Sequence, residues 1–196
     1  EGRPGQDGIL ASRLTDRSIR PLFPKGLHND IQITLTILSS DMENPPEVLG
    51  MIGASAAIGI SQIPFNGPVA SCRIAYVDGQ YIIHPTYEQS TESTLSMVVS
   101  SSRDAILMVE AGANEVSEEV ILEAISKAQE ANVATIGLIE ELSNKVGKPK
   151  VEVDYDSAGA DAVVNKIKEV VGTRWSDLLA KNPGMYEMDD GEHEIS

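Results

Sequence analysis

The chain has 196 residues, and its 15 lysines and arginines against 30 aspartates and glutamates give a formal net charge of −15. Hydrophobic residues make up 41% of it, which is enough for a real core and is typical of a globular chain of one domain plus a remnant. No apolar run approaches the roughly 18 residues that a membrane helix needs, so no membrane partner is expected. Cys72 is the only cysteine, so a disulfide framework is excluded and a reducing, cytoplasmic location fits.

The negative charge is unevenly distributed along the chain. It argues against a nucleic-acid footprint over the whole surface, because phosphate binding needs cations that replace released counterions. Between Ser12 and His28, however, four basic residues accompany a single acid, Asp16. The last ten residues carry five acids and no lysine or arginine, which predicts a solubilising tail. We therefore expect RNA or another polyanion to bind at one place only, on the basic segment.

The first third of the chain predicts a helix, a strand and a second helix. The first helix runs from about Ile9 to Arg20 and is stopped by Pro21, which has no N–H to donate. Residues 30–39 alternate in the strand manner, with one apolar face made of Ile31, Ile33, Leu35 and Ile37. Pro46 opens a helix that reaches about residue 61, and its small, apolar composition predicts that it packs inside the fold.

The remainder predicts two pairs of strands and two helices. Asp78-Gly79 is the strongest two-residue hairpin signal in the chain, and Ser117 is a good helix N-cap. Gly147 predicts a glycine cap at the end of the long helix. The predicted strands are 69–77, 80–84, 94–100 and 105–111, and the predicted helices are 117–146 and 161–179. Helices and strands mix without strict β-α-β alternation, so we predict an α+β fold with a mixed sheet.

The first predicted helix carries a row of arginines. At about 100° per residue, Arg13, Arg17 and Arg20 fall within roughly 60° of one another, and the opposite face would dock on the sheet through Ala11, Leu14 and Ile19. The row is consistent with guanidiniums that bind phosphates. Spacing alone favours a solvated face on which Asp16 and Arg20 form an i,i+4 ion pair, because amphipathic helices with arginine on the exposed side are common.

Other reactive residue types do not assemble into a site. We expect Cys72, in the middle of a strand, to be a small buried hydrophobe. The three histidines are too scattered to predict a metal site by spacing; they are His28, His84 and His193. Asp78 and Asp104 are typical turn residues and need no functional role. Glu110, at a strand end, is then left as a weak candidate for a functional carboxylate.

The string ILASRLTDRSIRPLFPKG, from Ile9 to Gly26, resembles the ILxSRLIDRPIRPLFPxG signature of the bacterial polyribonucleotide nucleotidyltransferases, or polynucleotide phosphorylases. The resemblance continues in order through NPPEVLGMIGASAAIGISQIPFNGPVASCRIAYVDGQYIIHPTYEQ and AILMVEAGANEVSEEVILEAI to GKPK. It covers residues 1 to about 150. Residues 151–196 show a weak similarity to the opening of the all-helical linker that follows in the family.

The resemblance implies a ribonuclease-PH-like fold, of the ribosomal protein S5 domain 2-like class, for residues 1–150. This would be the first of two such copies in each subunit, without its N-terminal strands. Residues 151–196 would begin the all-α linker domain and end in an acidic, flexible tail. We expect the chain to be a piece of a longer protein, because it begins with Glu1 and family members have about half a domain of strands before this point. Alone, it should be poorly stable and inactive.

The family's activity sets further expectations. Its members degrade RNA from the 3′ end, use inorganic phosphate as co-substrate and release nucleoside diphosphates. They need magnesium or manganese and form a ring-shaped homotrimer whose channel threads single-stranded RNA. The resemblance therefore implies part of a 3′-to-5′ exoribonuclease of mRNA degradation, with the metal bound outside this segment. The implied partners are single-stranded RNA, two further subunits and an RNA-degradation complex.

Two departures from the family pattern matter for catalysis. The serine-rich turn that holds phosphate in the active copy aligns near Pro45-Pro46-Glu47, which has no hydroxyl and carries a carboxylate. First copies also have two aspartates in a pattern like ESDLDL, where this chain reads ESTLSM from Glu92 to Met97. We therefore expect no catalytic and no metal-binding residue in this chain.

The arginine row does match the family. The resemblance implies that Arg3, Arg13, Arg17 and Arg20 hold and guide single-stranded RNA by its backbone charge. The family tends to have isoleucine at Thr15 and proline at Ser18, and neither change alters the charged face. The alternative function is a non-catalytic, exosome-like ring subunit that acts only as an RNA-binding protein. A third is an interaction module that uses the acidic tail, residues 183–196.

Overall fold

The computed structural model describes residues 2–153, 157–172 and 174. The chain divides into two compact units, Glu1–Val153 and Asp154–Ser196. In the first unit the helices are α1 (Gln6–Ile19), α2 (Glu47–Ile60), α3 (Tyr87–Glu92) and α4 (Glu118–Val146), with a 3₁₀ turn at Arg20–Leu22. Its strands are β1 (Ala70–Val77), β2 (Gln80–Ile83), β3 (Leu95–Ser101) and β4 (Ile106–Ala113).

The second unit contains one helix among its described residues, α5 (Ser157–Val171). The apolar side chains that suggested an amphipathic helix here are exposed; they are Val163, Val164, Ile167 and Val170. The helix begins four residues earlier than predicted and ends at Val171. The predicted residues 175–179 and the acidic tail lie outside the described part of the chain.

Four strands form one sheet in the order β2-β1-β3-β4. Every pairing in it is antiparallel, so the α+β class is confirmed, whereas the paired strands do not form the mixed sheet that was predicted. The β1–β2 connection is the predicted two-residue hairpin, since Val77 pairs with Gln80. Asp78 and Gly79 both have positive φ, at 48° and 80°, which is the backbone conformation of a type I′ turn.

Helices cover both faces of the sheet. Alternate residues of β1 and β3 face α4, where two alanines let the helix approach closely; this core contains Cys72, Ile74, Leu95, Met97, Val99, Ala124 and Ala128. The opposite face packs against α1 and α2 through Ile19, Met51, Ala54, Ile58 and Val69 and through Leu14, Val48, Val98 and Met108. Only one side of α2 is buried. Leu49 lies on the other side and keeps 71% of its surface exposed.

The predicted strand at residues 30–39 is wrong for the described residues. That segment joins no sheet; it lines an apolar groove together with α2. Ile37 and Leu38 are 64% and 93% exposed. The alternating pattern predicts an extended chain with one apolar face. A strand also needs a neighbouring strand for its backbone hydrogen bonds, and the pattern does not indicate which segment that would be.

Two local features differ from the sequence reading. The short helix α3 was missed, although Thr86 and Gln89 form a complete capping box whose T-x-x-Q spacing is readable in the sequence. Gly147 does end α4, but with φ of −67° it is not left-handed. Glycine is required there because an added Cβ would overlap the carbonyl oxygen of Ser143, whose bond with the Gly147 N–H closes the helix.

The segment after α4 returns to the end of α2. The Lys150 ammonium donates to the carbonyls of Ile58, Gly59 and Ser61, each at 2.8 Å. Ile58 and Gly59 lie in the last turn of the helix, whose carbonyls lack intrahelical partners, and Ser61 is the residue that caps it. The Lys148 N–H bonds the Ile60 carbonyl at 3.0 Å. This stretch is therefore part of the first unit and fixes the end of α2.

Candidate nucleic-acid interface

Helix α1 carries the predicted arginines, and its position follows from its buried side. Gly5 precedes the helix and Pro21 follows it in the 3₁₀ turn. The buried residues are Leu14, Thr15, Ser18 and Ile19. Leu14 and Ile19 were predicted to dock, whereas Ala11 is only half-buried. The threonine and serine are tolerated in the interior because each bonds a backbone carbonyl one turn earlier.

All three arginines of the row are exposed, Arg13 and Arg17 on α1 and Arg20 at the start of the 3₁₀ turn that continues it. Arg13 has no hydrogen bond or ion pair within the described residues, so its guanidinium is open to a ligand. Arg3, in the loop before the helix, is exposed in the same way. The structure therefore keeps the predicted row accessible, but it gives Arg17 and Arg20 acidic neighbours.

Arg20 is bound by Asp16 one turn earlier on the same helix. Its Nε donates to Asp16 Oδ1 at 2.9 Å, and its Nη2 donates to Oδ1 and Oδ2 at 2.7 Å. This is the i,i+4 ion pair that the solvated-face interpretation predicted. The pair is exposed, with 75% of the arginine side chain accessible, so a phosphate could still approach the guanidinium.

Arg17 faces a carboxylate from another element. Its Nη1 lies 3.6 Å from Oε2 of Glu110, and the two side chains are 48% and 57% exposed. Glu110 lies within β4, opposite Val98 of β3, and not at the strand end that was predicted. The separation is longer than a hydrogen bond, so the two groups attract each other without a fixed geometry.

A buried hydroxyl cluster lies beneath the row. Ser18 Oγ lies 2.7 Å from Oγ of Ser100 on β3 and bonds the Leu14 carbonyl at the same distance. Ser100 Oγ also contacts Ser71 Oγ on β1. The three hydroxyls join α1 to two neighbouring strands, and they therefore help to set the orientation of the arginine row.

The segments that depart from the family pattern hold no catalytic arrangement. Glu47 begins α2 and forms a half-buried ion pair with Arg73 of β1. The resemblance puts a phosphate-binding turn at this place. Here the guanidinium of Arg73 is already paired with the carboxylate of Glu47. Thr94 and Ser96 stand where the two aspartates were expected, and the Thr94 hydroxyl bonds the Tyr76 carbonyl at 3.2 Å.

The remaining candidates are structural or isolated. Cys72 is fully buried, and burial raises the pKa of its thiol to about 11, so it is not a reactive thiolate. Asp78 and Asp104 lie in turns. Partial desolvation lowers the pKa of His84; the side chains of His84 and His28 are exposed, and His193 lies outside the described residues.

Neither a metal site nor a membrane span is present in the described part of the chain. Within those residues, no three His, Cys, Asp or Glu side chains come together in a group that could hold a cation. The described residues thus offer no three-ligand group for the magnesium or manganese that the resemblance implies. No helix among the described residues is long and apolar enough to cross a bilayer.

Comparison with known proteins identifies the class. Residues 1–64 match the family model described as 3′ exoribonuclease family, domain 1, and residues 67–131 match that of domain 2. The two matches follow each other and together cover about two thirds of the chain. The chain belongs to the 3′ exoribonuclease family, which confirms the ribonuclease-PH-like fold.

Within that family the similar curated proteins are polyribonucleotide nucleotidyltransferases. The one from Sulfurihydrogenibium sp. is 53% identical over 156 residues, which are 80% of this chain and 22% of the relative. Polyribonucleotide nucleotidyltransferase 3 of Alkaliphilus metalliredigens is 50% identical over 153 residues, or 78% and 22%. That of Heliobacterium modesticaldum is 43% identical over 183 residues, or 93% and 26%.

The chain thus spans about a quarter or less of the length of these curated relatives. Among solved structures, rice (Oryza sativa) Rrp46 is similar in fold, with a TM-score of 0.59 at 10% identity. The match covers 73% of this chain and 69% of that one. At this identity the likeness supports the fold alone.

Proposed function

We propose that this chain is the RNA-guiding, non-catalytic copy of a phosphate-dependent 3′-to-5′ exoribonuclease, a polyribonucleotide nucleotidyltransferase. The observation that carries the proposal is the exposed arginine row of α1. It is presented beside the buried side of α1, which packs against the sheet, and all three arginine side chains are exposed. Arg13, Arg17 and Arg20, with Arg3, contact the phosphates of single-stranded RNA.

The chemistry of such a contact is electrostatic. Each guanidinium neutralises backbone phosphates and releases counterions, so binding weakens steeply as salt rises. The row presents no aromatic side chain on which a base could stack, since α1 contains none. We therefore expect binding that is nearly indifferent to base sequence, as a guiding surface requires.

Catalysis belongs outside this segment in the proposal. Glu47 holds Arg73 and would repel a phosphate at that position, and Thr94 and Ser96 offer hydroxyls where a metal would need carboxylates. Inorganic phosphate and magnesium or manganese would act at the second copy. Further parts of the proposal are a cytoplasmic location, a homotrimeric ring and a role in mRNA degradation.

The test is the triple variant Arg13→Ala, Arg17→Ala and Arg20→Ala in the complete enzyme. The expected result is weaker binding of long single-stranded RNA and shorter processive runs, while phosphorolysis of a very short oligonucleotide is largely spared. The matched control removes three other exposed, ion-paired cations in the same unit, namely Arg103, Lys127 and Lys145. It should bind long RNA as the wild type does.

Equal damage to long and short substrates would contradict the guiding role. A complete protein that binds RNA through the row but shows no phosphorolysis of any substrate would instead support the non-catalytic ring subunit.

A further inference from the structure

We infer that Glu110 is an affinity-setting residue that weakens the contact of Arg17 with RNA. This inference rests on the proposed function, since it concerns the same arginine row. It goes beyond that proposal because it gives a carboxylate on the sheet, that of Glu110, a role in the affinity of the row for RNA. No feature of α1 alone would indicate it, because Glu110 comes from β4.

The geometry separates Glu110 from the other acid near the row. Asp16 lies on the same helix as Arg20 and holds it through three short hydrogen bonds, at 2.7 to 2.9 Å. Glu110 reaches Arg17 from a different element, at 3.6 Å and without a hydrogen bond. The first pair is locked, whereas the second is loose enough for a phosphate to displace the carboxylate or to bind beside it.

The charges set the sign of the effect. Asp16 and Glu110 together cancel two of the three positive charges of the row, so Arg13 is its only arginine without an acidic partner among the described residues. A phosphate that binds Arg17 meets a negative charge on a half-exposed side chain within a few ångströms. Repulsion over that distance is only partly screened at physiological salt. Glu110 should therefore weaken RNA binding.

The opposite role is positioning. If Glu110 held the guanidinium of Arg17 in the orientation that a phosphate needs, its removal would weaken binding. The 3.6 Å separation argues against this, because orientation requires directed hydrogen bonds and this contact has none. The two roles thus predict changes of opposite sign for the same substitution.

The experiment titrates the complete enzyme, in phosphate-free buffer, with a fluorescent 20-nucleotide oligoadenylate and follows anisotropy at 50 and 200 mM salt. Glu110→Gln should bind about two- to fivefold more tightly than wild type at the lower salt, the range that exposed ion pairs of this kind are worth. The gain should shrink at the higher salt. When Arg17 is already replaced by glutamine, the gain in affinity from Glu110→Gln should fall to that of the control variant Glu140→Gln.

The control is Glu140→Gln, which removes the same charge from another exposed Arg–Glu pair between two elements, that of Arg103 and Glu140. It should change affinity by less than half as much. Glu110→Asp keeps the charge but withdraws it from Arg17, so its affinity should lie between those of wild type and Glu110→Gln. This second variant decides the question if thermal melting shows that the glutamine variant has lost its fold.

Affinity of Glu110→Gln equal to or below that of wild type, in a chain that loses binding on Arg13→Ala/Arg17→Ala, would overturn this inference and leave the proposed function standing. If Arg13→Ala/Arg17→Ala binds the oligoadenylate as wild type does, the proposed function itself fails. The two failures are therefore distinguishable in one set of titrations.

Discussion

The hydroxyl of Ser18 lies 2.7 Å from the hydroxyl of Ser100, and this buried contact fastens the arginine-bearing helix to the middle of the sheet. Ser100 in turn contacts Ser71, so one residue of β3 links α1 to β1. Because both serines are fully buried, neither hydroxyl can exchange its partner for water. The orientation of the arginines thus depends on a polar contact inside the core.

Replacing Ser100 by alanine should lower the free energy of unfolding by about 1 to 3 kcal/mol, since it deprives two buried hydroxyls of a partner. Urea unfolding of the 196-residue chain measures the change. Ser96→Ala, at a half-buried position of the same strand, is the control and should cost clearly less. Equal costs would show that the cluster does not hold the helix.

Replacing Gly147 by alanine should destabilise the last turn of α4. The new Cβ would overlap the Ser143 carbonyl oxygen, so the backbone must move and the bond that closes the helix is weakened. We expect a loss of about 1 to 3 kcal/mol, the range for overpacking a tight site. Amide hydrogen exchange should show faster exchange at Gly147 or its substitute.

The control for that glycine is Gly137→Ala in the middle of the same helix, where no atom lies within 4 Å of the added Cβ. Alanine is the better helix former, so this variant should be neutral or stabilising by up to about 1 kcal/mol. A stabilised Gly147→Ala would show that the close approach is not what demands glycine.

Replacing Lys150 by methionine should loosen the end of α2. The ammonium bonds three carbonyls there, and burial lowers its pKa, so part of its hydration has already been exchanged for these contacts. A cation at a helix C-terminus is worth about 0.3 to 1 kcal/mol, and unfolding in urea should show a loss of that size. Lys148→Met, exposed and two residues away, should have no measurable effect.

Asp41 should titrate at an unusually low pH. Hydrogen bonds from the backbone and side chain of Asn44, and from the backbone of Glu43, hold the pKa of its carboxyl at about 2, below the ordinary 3.8. A pKa that is depressed in the folded state gives stability that is present above the unfolded pKa and is lost as the pH falls through the folded one. The contribution of Asp41 should therefore be complete at pH 5 and disappear between about pH 4 and pH 2.

Carboxyl-carbon NMR measures this titration directly. Asn44→Ala removes the bond from the Asn44 side-chain amide to Asp41 Oδ2 and keeps the two backbone N–H bonds, so it should raise the pKa of Asp41 part of the way toward 3.8. A pKa of Asp41 that is unchanged in Asn44→Ala would contradict the assigned cause.

Much of the fold could be predicted from local signals. The Asp78-Gly79 hairpin, the Ser117 cap and the ends of α1 and α2 each depend on residues that act over a few positions. The sheet order and the antiparallel pairing of β1 with β3 depend on partners about 25 residues apart, and no local pattern specifies them. For the same reason the alternation of residues 30–39 predicted a strand that has no neighbour in the described chain.

In the candidate site, too, local features could be predicted and contacts between distant residues could not. The arginine face of α1 and the Asp16–Arg20 pair follow from helical spacing. The Arg17–Glu110 contact could not be predicted, because it needs the distance between a helix and an edge strand. Asn132 was missed for a similar reason: it is a buried polar residue of α4 whose amide bonds the Val99 carbonyl and the Ser101 hydroxyl.

The buried thiol of Cys72 gives the chain an internal probe. It is the only sulfhydryl in the sequence and is sealed between the sheet and α4, with a pKa too high for ready attack. A maleimide or disulfide reagent should therefore modify the folded chain only as fast as the sheet and helix separate. A cysteine introduced on the arginine face could then carry a dye while the native one stays unlabelled.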